Sequence, residues 1–223
     1  RIVAVTAAYL SHKPKGYHDQ AWRREPGGGP VLLNAIHDID CLRMMCGDVD
    51  TVQAQASNGV RGFAVEDTAA AVLRFKSGAL GTLICSDTAS TPFSWEWGSR
   101  ENPKFPFDGE SCFLVAGTRG CITVPALVHR WHEAGKESWE TPLTQKRLHV
   151  APADAYTEQM LNLAGVIRGA AKPVLSGRDG TLTLATTLAI TRSAAEGGVP
   201  VRIDDMMMAA GSAGAARPKG RKQ

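Results

Sequence analysis

Residues 67–88, DTAAAVLRFKSGALGTLICSDT, carry the pattern that decides the fold. Two runs rich in apolar residues, 67–78 and 79–88, meet at Ser77-Gly78, a dipeptide typical of a tight β-hairpin turn. A third run with alternating small and polar residues, TVQAQAS at 51–57, comes shortly before them. The stretch therefore predicts neighbouring strands that are joined by short turns.

A helix is predicted from about residue 30 to residue 46, directly before these strands. Pro30 stands where a helix accepts proline in its first turn, and Gly47 stands where a helix ends. The apolar residues between them recur at helical spacing: Val31, Leu32, Leu33, Ile36, Ile39, Leu42, Met44 and Met45. The same reasoning predicts two later helices, at about 154–169 and 180–196.

Further strand-like runs lie at 2–10, at 111–117 and 121–125 around a glycine turn, and at 199–204. Because strands outnumber helices and are joined mostly by hairpins, we expect an α+β fold: a predominantly antiparallel, open-faced sheet with helices packed on one face. This domain would span residues 1–204. Residues 205–223 are rich in Ala, Gly and basic residues, so we expect a disordered basic tail there.

The composition excludes several classes of protein. With 223 residues, of which 43% are hydrophobic, the chain can bury a sizeable core. The net charge of +3 is too small to indicate a nucleic-acid partner, and no apolar run approaches the roughly 18 residues of a membrane helix. We expect a soluble cytoplasmic protein. Because the chain starts inside a strand without methionine, it looks like a piece of a longer protein.

The five cysteines show no C-x-x-C spacing, which favours reduced thiols over disulfides or a zinc site. His129 and His132 are three residues apart, and in a strand they would face opposite sides. The sequence therefore predicts no metal site.

The densest group of candidate catalytic residues follows the glycine triplet at 27–29. On a helix, Asn34 and His37 share a face, and Asp40 lies one turn beyond His37. The His37 imidazole can move a proton near neutral pH, oriented by Asp40 or Asn34. The alternative is a histidine that only satisfies local hydrogen bonds. The glycines favour a flexible lead-in loop over a phosphate cradle.

Two irregular segments, 11–29 and 91–109, contain aromatic and charged side chains that suit sugar faces or carboxylates. The alternative is that the aromatic rings only pack the loops onto the sheet. The candidate substrate-binding residues are Trp22, Arg23, Trp95, Glu96, Trp97 and Arg100.

The segment 27–43, GGGPVLLNAIHDIDCLR, resembles the motif that opens the substrate domain of Gfo/Idh/MocA oxidoreductases. Residues 66–83, 115–125 and 156–203 resemble, in the same order, the family's strand hairpin, glycine turn and C-terminal helix pair. This ordered resemblance covers about residues 1–204.

The resemblance implies an oxidoreductase that transfers hydride between NAD or NADP and a sugar, polyol or related hydroxy compound. It implies that His37 is the catalytic proton donor or acceptor, and that Asn34 and the loop residues named above contact the substrate. It also implies a homodimer or homotetramer through the open sheet face, which the small residues at 51–57 and 68–75 suit. Many members carry an aspartate four residues before the histidine, whereas this chain has Leu33, which cannot take a proton.

The family's Rossmann domain, with its glycine fingerprint and Glu-Lys-Pro segment, has no counterpart in these residues. We therefore expect the cofactor to be bound mainly by a missing N-terminal domain and the chain alone to be catalytically incomplete. The alternative is a cofactor-free binding or scaffolding module that keeps the sheet-mediated interface. Leu33 and the missing half favour that alternative.

Overall fold

The computed structural model describes residues 1–151 and 153–215. Its strands are β1 (Ile2–Leu10), β2 (Val49–Ser57), β3 (Thr68–Phe75), β4 (Leu80–Ser86), β5 (Phe113–Gly117), β6 (Gly120–Val124), β7 (Val128–Trp131), β8 (Thr144–Arg147) and β9 (Val201–Arg202). They form a sheet in the order β8-β7-β6-β5-β1-β4-β3-β2-β9. Together with the helices described below, this is the predicted α+β architecture.

The hairpin predicted at Ser77-Gly78 is confirmed. Gly78 adopts a φ of 86°, a backbone conformation that residues with a Cβ atom rarely adopt. Its N–H donates to the Phe75 carbonyl at 2.9 Å. The Phe75 N–H in turn donates to the Ala79 carbonyl at 3.0 Å. The turn therefore sets the register of β3 and β4, in which Leu73 lies opposite Gly81.

The expectation of a predominantly antiparallel sheet holds with one correction at its centre. Strand β1 pairs with β4 in parallel, from Ala4 opposite Leu80 to Leu10 opposite Ser86. The other pairings among the described strands are antiparallel. The sheet is mixed because the chain crosses over between β1 and β4, through a helix and two further strands, instead of turning directly.

The two faces of the sheet differ in burial. Along β3, Leu73 and Phe75 are buried while Val72 and Arg74 are exposed, as the period of two in a strand requires. Helices cover the buried face. We call the other surface the open face; its side chains on the central strands include Gln53, Gln55, Ala70, Val72, Thr82 and Ile84.

The predicted helices are present, with small changes in their bounds. The first begins as a π-helical turn, Val31–Ala35, and continues as α1 (Ile36–Cys46). The other two predicted helices are α3 (Ala155–Ile167) and α4 (Gly177–Ala195). Two helices that were not predicted are α2 (Trp95–Ser99) and α5 (Ile203–Ala215). Within the described residues, no helix combines the length and the apolar character needed to cross a membrane.

The prediction of a disordered tail from residue 205 is wrong for residues 205–215, which belong to α5. The Met206 and Met207 side chains pack against the hydrophobic core, and Lys76 donates to Asp204 at 3.0 Å at the start of the helix. Methionine is a good helix former, and this packing supplies the burial that composition alone did not reveal. The basic residues at 217–222 lie outside the described residues.

Candidate active site

The glycine triplet before α1 allows neighbouring segments to pack closely against it. A side chain at Gly28 would collide with the Trp22 carbonyl oxygen, and one at Gly29 would collide with the Glu66 carboxyl group. The preceding loop therefore lies directly against the triplet, and the space beside these glycines is already filled by protein. Neither a flexible loop nor a phosphate cradle describes this arrangement.

The first helical turn is held in place by Glu66. Its carboxyl oxygen accepts a hydrogen bond from the Val31 N–H at 3.2 Å, so one of the unpaired donors at the helix start is satisfied. Burial raises the pKa of Glu66. This contact fixes the position from which Asn34 and His37 extend.

A cavity of about 230 Å³ lies between the start of this helix, strand β1 and helix α2. The helix contributes positions spaced by three or four residues, so that they share one face. The lining residues are Tyr9, Asn34, His37, Asp38, Cys41, Trp95 and Glu96.

Four predicted site residues line this cavity: Asn34, His37, Trp95 and Glu96. The His37 side chain is exposed, whereas the Oδ1 atom of Asn34 is buried without a hydrogen-bond partner. The Trp95 ring packs edge-on against Phe113, with ring centroids 6.3 Å apart, and its Nε1 donates to Glu101 at 2.7 Å. The second irregular segment is thus held in place at α2, and the Trp95 indole forms one side of the cavity.

The other predicted site residues do not line this cavity. Trp22 is half exposed and donates to Gln20, and the Arg23 guanidinium lies 3.9 Å from the Tyr17 ring centroid. Arg100 stacks on Phe107 at 3.9 Å, and Trp97 is half-buried. For Arg23 and Arg100, the contacts seen are those that pack the two loops.

Asp40 does not orient His37, contrary to one of the two expectations for that role. It accepts a hydrogen bond from Thr183 of α4 at 2.6 Å and lies 4.0 Å from the Arg43 guanidinium. Arg43 also donates to Asp48 at 2.7 Å. Asp40 therefore belongs to a network that attaches α1 to α4, on another side of the helix from the cavity.

Asp38 is a buried titratable group of the cavity. Its side chain is buried, and burial followed by the nearby Glu96 carboxylate raises the pKa of Asp38 to about 8. Burial and then Asp38 raise the pKa of the Cys41 thiol to about 11. The buried carboxyl group is therefore uncharged at neutral pH.

Tyr9, which lines the same cavity, is paired with Lys13. Lys13 Nζ donates to the Tyr9 hydroxyl at 2.8 Å, and burial lowers the pKa of Lys13. Burial and then Glu96 raise the pKa of Tyr9 above its ordinary value. The Tyr9 hydroxyl oxygen thus accepts a hydrogen bond from Lys13, and the Tyr9 hydroxyl also forms a hydrogen bond with Ser11.

Sequence reasoning missed Tyr9, Asp38 and Cys41 as lining residues. Asp38 and Cys41 follow Asn34 at positions i+4 and i+7, so the helical face that contains Asn34 predicts them. Tyr9 follows from no local pattern, because the parallel pairing of β1 and β4 determines where its side chain lies.

The described residues contain no group of three or more His, Cys, Asp or Glu side chains that could hold a metal ion. The five cysteines are free, as predicted. His129 stacks on Trp131, with ring centroids 4.6 Å apart.

Comparison with known proteins assigns the family. Residues 1–123, more than half of the chain, match the GFO/IDH/MocA C-terminal domain. The chain therefore belongs to the GFO/IDH/MocA family, and the matched part corresponds to the C-terminal domain.

A characterised relative is the 1,5-anhydro-D-fructose reductase of Ensifer adhaerens, which is 29% identical over 185 residues. The match covers 81% of this chain and 50% of the reductase. The chain thus spans about half the length of this relative.

Solved structures give the same picture. The WlbA dehydrogenase of Bordetella pertussis, in complex with NADH and UDP-GlcNAcA, is 25% identical with a TM-score of 0.62, over 91% of this chain and 55% of WlbA. Levoglucosan dehydrogenase, in complex with NADH and levoglucosan, is 20% identical with a TM-score of 0.64, over 91% of this chain and 59% of the dehydrogenase. At 20% identity, the likeness to levoglucosan dehydrogenase shows that the two proteins share a fold.

Proposed function

We propose that this chain is the substrate-binding part of an NAD(P)-dependent oxidoreductase that interconverts hydroxyl and carbonyl groups of a sugar, polyol or related compound. The main support for this proposal is the cavity lined by His37 and Asn34, both predicted from the sequence, together with Trp95 and Glu96. The family assignment and the sugar-oxidising or sugar-reducing relatives support this reading.

In this proposal, His37 exchanges a proton with the reacting oxygen of the substrate. Its exposed imidazole on the cavity wall is accessible to a ligand, and a positioned histidine is the side chain that most often transfers a proton in general acid–base catalysis. Trp95 offers an apolar ring face against which a sugar can pack. Leu33 provides no second proton-transfer group at the position where the resemblance leads one to expect an acid.

The described residues of this chain do not fit the pyrophosphate of a nicotinamide cofactor. That group needs free backbone N–H donors at a glycine turn, whereas protein atoms already pack against Gly28 and Gly29. The cofactor supplies the hydride when it is bound, and we propose that sequence outside Arg1–Gln223 holds it.

Titration with NADH and NADPH, followed by nucleotide fluorescence, tests this assignment. The complete protein, with any sequence that naturally precedes Arg1, is compared with residues 1–223 alone. We expect binding by the complete protein only. Failure of the complete protein to bind either nucleotide would favour the cofactor-free scaffolding module, which Leu33 and the filled glycine segment also favour.

Replacement of His37 tests the proton-transfer role. In the complete protein, we expect His37→Ala to lower kcat by about a hundredfold to ten-thousandfold, the usual contribution of a general acid or base. Fluorescence titration should show unchanged NADH affinity. His149→Ala removes an exposed histidine that does not line the cavity and should retain the wild-type kcat. Equal activities of the two variants would contradict the role of His37.

We also propose that the open face joins copies of the chain into a dimer or tetramer. Val72 is 51% exposed and Ile84 is 42% exposed, and both lie on this face together with Ala70, Thr82 and the polar Gln53 and Gln55. A sheet face with exposed apolar side chains such as Val72 and Ile84 can pack against a second sheet.

A further inference from the structure

Asp38 is a buried carboxyl group without a counter-ion. It is 4% exposed and lines the cavity. Among the described residues, no other side chain forms a hydrogen bond or an ion pair with it; the raised pKa reflects burial and Glu96, with only its own backbone N–H opposing them. An ionised carboxylate in these surroundings would cost several kcal/mol, so the protonated acid is the stable form at neutral pH.

Asn34 lies one helical turn before Asp38 and is also unsatisfied. Its buried Oδ1 has no partner in the described structure, and such an acceptor costs about 1–3 kcal/mol when it stays unpaired. The terminal torsion of asparagine is broad, so a modest rotation turns the amide toward the cavity. After that rotation, the cavity wall holds a hydrogen-bond donor on Asp38 and an acceptor on Asn34.

We propose that Asp38 and Asn34 form a recognition pair for a neutral, hydroxyl-rich ligand: the protonated Asp38 donates to a ligand oxygen while Asn34 Oδ1 accepts from a ligand hydroxyl. The inference rests on the proposed function, since the same cavity is the substrate site. A hydroxyl group both donates and accepts, and so it satisfies both partners.

The same cavity disfavours anionic ligands. A carboxylate or phosphate brings negative charge toward Glu96, which lines the cavity. The cavity volume of about 230 Å³ lies below the range of about 300–1,000 Å³ for sites of drug-sized ligands, so it suits a single sugar ring. We therefore expect neutral monosaccharides to bind and their acidic counterparts to be rejected.

The titration of Asp38 can be distinguished from that of the tyrosine and the thiols around it. Burial raises the pKa of the tyrosine and of the thiols that surround it, so these groups keep their protons at pH values where Asp38 loses its own. The titratable groups facing Asp38 or interacting with it are Tyr9 of β1, His37 and Cys41 of the helix, Cys85 of β4, Glu96 of α2 and Cys112 next to β5.

Infrared difference spectroscopy tests the protonation state without any ligand. In the complete protein, the carbonyl stretch of a protonated carboxyl group should be present at about pH 6 and disappear with a midpoint near the pKa of about 8. Asp38→Asn should lack this band. Asp40→Asn, which changes a carboxylate of the same helix that bonds to α4, should retain it. Loss of the wild-type band near pH 4 would overturn the proposal.

Calorimetry with D-glucose and D-glucuronate, which differ by a carboxylate on the same ring, tests recognition. With NADH present, we expect glucose to bind at least about tenfold more tightly than glucuronate, and its affinity to fall about tenfold per pH unit above the pKa of Asp38. Asp38→Asn, an uncharged hydrogen-bonding substitute, should retain binding without this pH dependence. Asp38→Leu should weaken it at least about tenfold while circular dichroism stays unchanged.

Three results would contradict the proposal: glucose affinity that does not change with pH, wild-type affinity in Asp38→Leu, or no binding of glucose. The NADH titration of the same samples separates the two hypotheses. If NADH binds and His37→Ala abolishes turnover while any of these results is found, the recognition pair is wrong and the proposed function stands.

Discussion

At the scale of single residues, Asp38 should make the stability of the folded protein depend on pH. Its pKa of about 8 lies far above the ordinary value of 3.8. Between these values the folded protein keeps a proton that the unfolded chain has lost, so the free energy of unfolding falls as pH rises, by up to about 1.4 kcal/mol per unit. Above the folded-state pKa this loss is complete.

Urea denaturation at several pH values measures this effect. Asp38→Asn should be markedly more stable than the wild type at about pH 9 and similar to it at about pH 3, below the ordinary pKa of 3.8, because the amide carries no charge at either pH. Asp50→Asn, which changes a carboxylate outside the cavity, should follow the wild-type profile. Parallel profiles for the wild type and Asp38→Asn would show that Asp38 ionises normally.

The sequence predicted the helical part of the candidate site better than its loops. Asn34 and His37 line the cavity because residues three apart share a helical face, whatever the rest of the chain does. The environment of Asp38 was not predictable, since its burial depends on α2, which lies far away in sequence. Arg23 and Arg100 do not line this cavity, and nearby aromatic rings contact their guanidinium groups.

At the scale of elements, Ser193 of α4 takes the place of a neighbouring strand. Strand β9 pairs with β2 only at Thr51 and Val52, so the Ala54 N–H lies beyond it. That N–H donates to Ser193 Oγ at 2.9 Å, and Ser193 donates to the Val199 carbonyl at 2.6 Å. The hydroxyl thus joins the helix to the sheet where the ladder ends.

Loss of this hydroxyl should destabilise the fold. Ser193→Ala leaves the buried Ala54 N–H and the Val199 carbonyl without their partner, so we expect the free energy of unfolding to fall by about 1–3 kcal/mol in urea denaturation. Thr181→Ala, at an exposed position of the same helix, should change it by less than about 0.5 kcal/mol. Equal stability of the two variants would mean that water replaces the Ser193 hydroxyl.

The elements show where prediction from the sequence succeeds. The β3–β4 hairpin was predictable because a glycine turn and the residue alternation act locally. The parallel partner of β1 was not, because Ala4 meets Leu80 only after the intervening chain has crossed over. Helix α5 was missed because Met206 and Met207 stabilise it by packing against core residues that are distant in sequence.

At the scale of the whole molecule, the open face predicts self-association. We expect the complete protein to sediment as a dimer or tetramer at micromolar concentration. Val72→Glu should shift it toward the monomer, because it buries a charge in the centre of the proposed interface. Met44→Glu places the same charge at an exposed position of α1 and should leave the assembly unchanged. A monomeric wild type would contradict the proposed interface.

The central position of β1 has a consequence for folding. Its two neighbours, β4 and β5, begin at Leu80 and Phe113, so both leave the ribosome long after β1 does. Strands β2, β3 and β4 can pair with their neighbours in sequence at little cost in loop entropy, whereas β1 must wait for distant partners. We therefore expect β1 to enter a partly formed sheet late and to limit the rate at which the chain folds.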